Sequence, residues 1–278
     1  MQKIIFMDVD GTLVNDNGVI PQSAKLAIRK ARENGHLVFL CTGRSKAELF
    51  PEILAVGFDG IIGAAGGYIE IGEEVLLHER VSKEDVAHLV GFFDEHGVDF
   101  YLESNGGLFA SKNCKNHIQS IIDNIKKENP EAREEIERGM QPFHDCLIEG
   151  EELIREDINK ISFLGSDLPF ERIIQEFSSK FNVIPSTVHF FGENSGELSV
   201  PGIHKATAIE KLLQHLQIDR KNTYAYGDGL NDIEMLEYVQ FGVAMGNAKD
   251  KVKQVADDVT DTHDNDGIYN SFRKYGLI

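Results

Sequence analysis

Four consecutive apolar residues, Ile4-Ile5-Phe6-Met7, run straight into Asp8-Val9-Asp10-Gly11-Thr12. An apolar run without polar alternation marks a strand covered on both faces, the environment of a parallel sheet flanked by helices. The pattern repeats along the chain. Ala24, Ala27, Ile28 and Ala31 recur at helical spacing within residues 22–34, and Gly35 stands where a helix end favours glycine. Leu37–Cys41 is a second apolar strand, ending in Thr42-Gly43-Arg44, and Gly60–Gly63 begins a third. Strand and helix in alternation predict an α/β fold on a parallel sheet.

From about Ser82 the rhythm changes. A helix to His96 is followed by strands near 99–103 and 108–111, a charged helical tract through Arg138, a strand at 158–164 and a helix at 170–180, with further strands near Val183 and at 188–191. That order does not fit a doubly wound sheet. Residues 82–186 are therefore expected to form an inserted α+β domain, leaving residues 1–81 and 187–278 as a discontinuous core. The first rhythm resumes after Glu197, with a strand at 198–200, a helix at 205–216, a strand at 223–226, a helix at 233–239 and a strand at 242–245.

The net charge of −18 argues against a chain whose main task is gripping nucleic acid, since such a chain needs a basic patch to overcome its own field. An anionic ligand has to be captured locally. Cys41, Cys114 and Cys146 show neither disulfide nor zinc spacing, and the first apolar run is too short for a signal peptide. With no run of 18 apolar residues either, the expectation is a cytoplasmic protein with no membrane partner. Oligomeric state has no signature in the sequence.

Asp8 and Asp10, two apart after a buried strand, are expected at the strand's C-terminal edge. A calcium loop does not account for them, because Gly11 falls at position four instead of six and Val19 stands where Glu is needed. A second acidic group, Gly227-Asp228-Gly229-Leu230-Asn231-Asp232, also follows a strand and opens a helix. In a parallel sheet those edges lie together, so Asp8, Asp10, Asp228 and Asp232 are expected to converge on a hard cation, Mg²⁺. Lys205 falls in the first turn of its helix, where the helix dipole disfavours a cation, so an anionic partner is expected there. Thr42 offers a hydroxyl, and Gly43 an approachable N–H, to an oxyanion.

In this order and on these element edges, Asp8-x-Asp10-Gly11-Thr12, Thr42, Lys205 and Gly227-Asp228-Gly229-Leu230-Asn231-Asp232 resemble the haloacid dehalogenase superfamily. The large insertion after the third strand and the Gly-Asp-Gly-x-Asn-Asp form look like its Cof-type phosphatases, which have a Rossmann-like parallel-sheet core and an inserted α+β cap setting specificity. The resemblance implies Asp8 as nucleophile and Asp10 as acid and then base. It implies Mg²⁺ held by Asp8, Asp228 and the Asp10 carbonyl, with Asp232 in or behind that set. Catalytic Thr42 and Lys205, with Val9, Gly43 and Asn231, would hold the phosphoryl group. Arg44 is either a substrate contact or an ion-pair partner. Ala65-Gly66-Gly67 departs from the family's frequent Asn-Gly-Ala and removes a polar contact. The expected activity is phosphoric monoester hydrolysis of a small phosphorylated metabolite, such as a sugar phosphate, through an aspartyl-phosphate. A phosphotransferase or mutase using the same intermediate, and a non-catalytic metabolite-binding relative, are the alternatives.

Overall fold

A computed structural model describes residues 2–129, 131, 133–186 and 188–278, without the side chains of 133–135 and 189. Its first unit comprises Met1–Arg44, Leu49–His78 and Ile203–Ile278. The strands β1 (Ile4–Met7), β2 (Leu37–Cys41), β3 (Gly60–Gly63), β4 (Tyr68–Ile71) and β5 (Glu74–His78) come from the first part of the chain. Three more, β12 (Thr223–Gly227), β13 (Phe241–Ala244) and β14 (Asp258–Val259), come from the last part. They form one sheet of order β14-β13-β12-β1-β2-β3-β4-β5. Pairing is parallel from β14 to β3 and antiparallel for β4 and β5.

Alternation along β1 explains its unbroken apolar run. Ile5 and Met7 pack with Ala24, Ala27, Ile28 and Ala31 of α1 (Gln22–Glu33) and with Ile268 and Phe272 of α11 (Gly267–Lys274). Ile4 and Phe6 pack on the other side, with Ile209 and Leu212 of α8 (Lys205–Leu216) and Met235 of α9 (Ile233–Tyr238). Both faces are therefore dry, and only the strand ends can carry charge.

The second unit comprises Ser45–Glu48 and Glu79–Gly202. Its sheet runs β10-β11-β9-β6-β7-β8, with β6 (Phe100–Ser104), β7 (Leu108–Ala110), β8 (Leu147–Ile148), β9 (Ile158–Phe163), β10 (Asn182–Pro185) and β11 (Gly196–Ser199). α3 (Lys83–His96) starts at Ser82, whose Oγ accepts the Asp85 N–H, and with α7 (Phe170–Phe177) it covers one face through Leu89, Phe93, Ile173 and Phe177.

Three expectations need correction. The strand expected at 198–200 pairs with β9 and β10, not with the parallel sheet, because Leu198 joins Phe163 and Phe93 in the second unit's core. The second boundary accordingly falls after Gly202, whereas a boundary at 187 was expected, and the first falls after His78. The strand expected at 188–191 is a 3₁₀ turn, His189–Phe191, whose Phe191 carbonyl accepts the Gly165 N–H. The charged tract divides into α4 (Cys114–Glu128) and α5 (Arg133–Arg138), and α6 (Met140–Cys146) follows it; Ile136 of α5 is buried, while part of the charge run lies outside the described residues.

Candidate active site

The two acidic motifs leave neighbouring strands and are locked to each other at their turns. Asp8 N–H donates to the Tyr226 carbonyl, continuing the β1–β12 pairing by one residue. The Val9 carbonyl accepts the Leu13 and Val14 N–H groups, and Thr12 Oγ1 donates to Asp228 Oδ1 at 2.9 Å. Gly11 adopts φ +78°, and a Cβ there would lie 2.3 Å from Asp228 Oδ2. No side chain fits that position without displacing the Asp228 carboxylate. Gly11→Ala is expected to lower kcat/KM by about tenfold or more, from left-handed strain plus the displaced carboxylate. Steady-state kinetics of the variant checks this, and an unchanged value would show that the turn yields freely.

Lys205, 1% exposed, sits at the start of α8 and reaches back beneath the strand ends. Its Nζ is 2.5 Å from both Asp8 Oδ1 and Asp232 Oδ1. Asp232 Oδ2 accepts the Asp228 and Gly229 N–H groups at 3.0 and 2.9 Å, so Asp232 fastens the lysine and the second acidic turn together. The anionic partner expected for Lys205 is thus a pair of carboxylates.

Asp8, Asp228 and Asp232 each offer an oxygen within 4.8 Å of the other two. Burial, reinforced by Asp232, pushes the Asp8 carboxyl well above its ordinary range against the pull of Lys205. Burial also pushes Asp228 up to about 6. Lys205 is raised as well: burial opposes its charge, but Asp232 and Asp8 outweigh that and hold it protonated. Three acids facing one ammonium leave two negative charges uncompensated when all are ionised. An oxygen-only donor set with that deficit fits a hard divalent cation.

Asp10 does not join this group. Its two oxygens accept Arg44 Nε and Nη2 at 2.9 and 2.6 Å, so the expected convergence of four carboxylates is a convergence of three. Of the two alternatives for Arg44, the ion pair is the one formed here. The bidentate fit of guanidinium to carboxylate is the reason. Thr42, buried at the end of β2, accepts the Arg44 N–H on Oγ1 at 3.1 Å, and Gly43 faces the Asn231 amide. Gly66, at φ +111°, passes so close to the start of α8 that a Cβ would lie 2.5 Å from the His204 carbonyl, which accounts for glycine in the departing Ala65-Gly66-Gly67 stretch.

One residue that sequence reasoning passed over is Asn247. Its Nδ2 donates to the Gly11 carbonyl at 2.7 Å and its Oδ1 accepts the His263 N–H, pinning the first acidic turn from a third strand end. Its place just beyond β13, after Gly246, is the only signal that could have flagged it.

A family model described as haloacid dehalogenase-like hydrolase matches residues 5–272. The chain belongs to the haloacid dehalogenase-like hydrolases. This hydrolase is 30% identical over 278 residues to YkrA of Bacillus subtilis, across 99% of this chain and 98% of the relative. It is 28% identical over 286 residues to the Bacillus subtilis 5-amino-6-(5-phospho-D-ribitylamino)uracil phosphatase YcsE, across 99% and 96%. Its structure resembles that of BT4131, a sugar phosphatase of subclass IIB, with a TM-score of 0.75, 25% identity and coverage of 99% and 100%. The haloacid dehalogenase-like hydrolase is thus a phosphatase with the α/β fold and Cof-type affiliation that its motifs imply. Its carboxylate triad suits the divalent metal used by phosphatases of this superfamily. No helix among the described residues is long and apolar enough to cross a membrane.

Proposed function

We propose that this phosphatase hydrolyses small phosphorylated metabolites, sugar phosphates among them, by a Mg²⁺-dependent route through an aspartyl-phosphate on Asp8. The observation that carries the reading is the shared ammonium: Lys205 bridges Asp8 and Asp232 while Asp228 stands beside them. Asp8 and Asp228, with Asp232 behind them, would hold the metal, together with the Asp10 carbonyl. A bound Mg²⁺ would neutralise charge on these carboxylates and on the phosphoryl oxygens.

A carboxylate approaching a phosphate dianion meets like-charge repulsion, which Lys205, 2.5 Å from an Asp8 oxygen, would relieve. Two of its three N–H bonds go to Asp8 and Asp232, which leaves one for a phosphoryl oxygen. Thr42, Gly43, Asn231 and the Val9 backbone would hold the remaining oxygens. Asp8 attacks phosphorus, the ester oxygen leaves, and Asp10 gives it a proton. Asp10 then takes a proton from water, whose oxygen attacks the aspartyl-phosphate, releasing phosphate and restoring Asp8. Arg44, paired with both Asp10 oxygens, would hold that carboxylate in place after it has given up its proton. The second unit serves as the cap that sets substrate choice.

The test is phosphate release from p-nitrophenyl phosphate. Turnover should vanish on chelation and return with Mg²⁺; turnover indifferent to a chelator rules the reading out. The pH dependence has a definite sign. Because burial raises Asp228 to about 6, the folded chain holds that proton more tightly than the unfolded chain does. Metal-free stability therefore falls as pH rises through roughly 4 to 6, while the cation loses its competing proton over the same range. The increase in Tm on adding Mg²⁺ should grow between roughly pH 5 and pH 7. Thermal denaturation with and without the metal measures it, and a constant increment would contradict the account of Asp228.

A further inference from the structure

Among the described residues, both ring nitrogens of His263 are buried without a hydrogen-bond partner. The residue is 5% exposed and stands in a 3₁₀ turn, His263–Asn265, between β14 and α11. Buried polar atoms in native folds are nearly always paired, so an imidazole with neither nitrogen satisfied calls for a ligand. Each nitrogen faces a carboxylate. Nδ1 lies 3.3 Å from Asp264 Oδ2, and Nε2 lies 3.8 Å from Asp16 Oδ1, in the loop between β1 and α1. Asn15 fixes both carboxylates: its Oδ1 accepts the Asn17 and Val19 N–H groups, turning the chain around Asp16, and its Nδ2 donates to Asp264 Oδ1 at 2.7 Å.

The spacing between Nε2 and Asp16 Oδ1 is too long for a hydrogen bond but suits two ligands of one ion. With bonds of about 2.0–2.2 Å to nitrogen and oxygen, two such ligands stand roughly 3–4 Å apart. Asp264 occupies the place of the carboxylate that accepts the second N–H of a metal-bound imidazole and so fixes its tautomer and orientation. The Asp16 side chain is 84% exposed, which leaves room for water as further ligands. An imidazole and a carboxylate together suit a divalent transition ion, whereas Mg²⁺ favours oxygen alone. A calcium loop does not account for the turn, because Gly267 at position six puts Arg273 where Glu is needed.

We infer that His263 Nε2 and Asp16 form a second cation site, sharing no ligand with the Asp8, Asp228 and Asp232 cluster, that takes a divalent transition ion such as Zn²⁺, with Asp264 orienting the imidazole. The ion ties the loop after β1 to the turn before α11. It also bears on the first acidic turn, since the His263 N–H donates to Asn247 Oδ1 and Asn247 Nδ2 donates to the Gly11 carbonyl.

The test is equilibrium dialysis of the full chain against Zn²⁺ in excess Mg²⁺, followed by metal analysis, with Tm measured on the same samples. The wild type should retain one Zn²⁺ per chain and gain Tm from it. Asp16→Asn should weaken Zn²⁺ binding about tenfold or more and lose the gain in Tm. Because Asp16 is exposed, this variant keeps the test decisive if His263→Gln, which should abolish binding, does not fold. Asp228→Asn, which alters the other cluster, should still bind Zn²⁺. A wild type that retains no Zn²⁺, undiminished binding in Asp16→Asn, or loss of Zn²⁺ from Asp228→Asn alone would overturn the inference. Metal content is read independently of turnover, so none of these results touches the phosphatase reading.

Discussion

Asp8→Asn is expected to reduce turnover of p-nitrophenyl phosphate by about 10⁴-fold or more, because an amide cannot form and release the acyl-phosphate that the proposed route requires. The substitution is nearly isosteric, and the carbonyl oxygen of the new amide can still accept from Lys205 Nζ, which lies 2.5 Å from the Asp8 oxygen it would replace. Loss of activity therefore cannot be put down to a collapsed site. Steady-state kinetics with metal present decides the matter, and retention of more than about a tenth of the rate would assign the attack to another group.

Lys205→Met should act on two levels. Without the ammonium, the developing charge at Asp8 loses its fixed counter-charge, and kcat should fall by about 10²- to 10³-fold. The same change leaves two buried carboxylates, Asp8 and Asp232, facing each other without compensation. Removing one partner of a buried ion pair costs about 3–5 kcal/mol, so a large fall in Tm should accompany the kinetic loss. The deficit should shrink as pH falls, because protonating either acid removes the repulsion, and it should shrink when Mg²⁺ supplies the missing charge. Denaturation at acidic and alkaline pH, with and without the metal, reads all of this. A variant that loses activity at unchanged stability would mean that the buried ammonium is not what holds the two acids together.

What could be read from the chain was whatever is local or carried by strand ends. A continuous apolar β1 and the helical spacing of Ala24, Ala27, Ile28 and Ala31 specify elements by themselves, and the rule that parallel strands share a C-terminal edge brings Asp8 near Asp228. The same rule could not say where each carboxylate points. Asp10 is only two residues from Asp8, yet its oxygens accept the guanidinium of Arg44, 34 positions along the chain, in a bidentate pair that no local pattern announces. Alternation in Glu197-Leu198-Ser199 marks a strand but not its sheet, and only the packing of Leu198 with Phe163 decides that. Asn247 and Thr12 act through contacts between remote segments, which no local pattern encodes.

The most direct test of the central claim is to quench the enzyme with acid during turnover in Mg²⁺ and determine the mass of the peptide containing residue 8. The account predicts one added phosphoryl group on Asp8, lost on standing in alkali and absent from Asp8→Asn. Full turnover with an unmodified Asp8, or with the phosphoryl group on another residue, would contradict it.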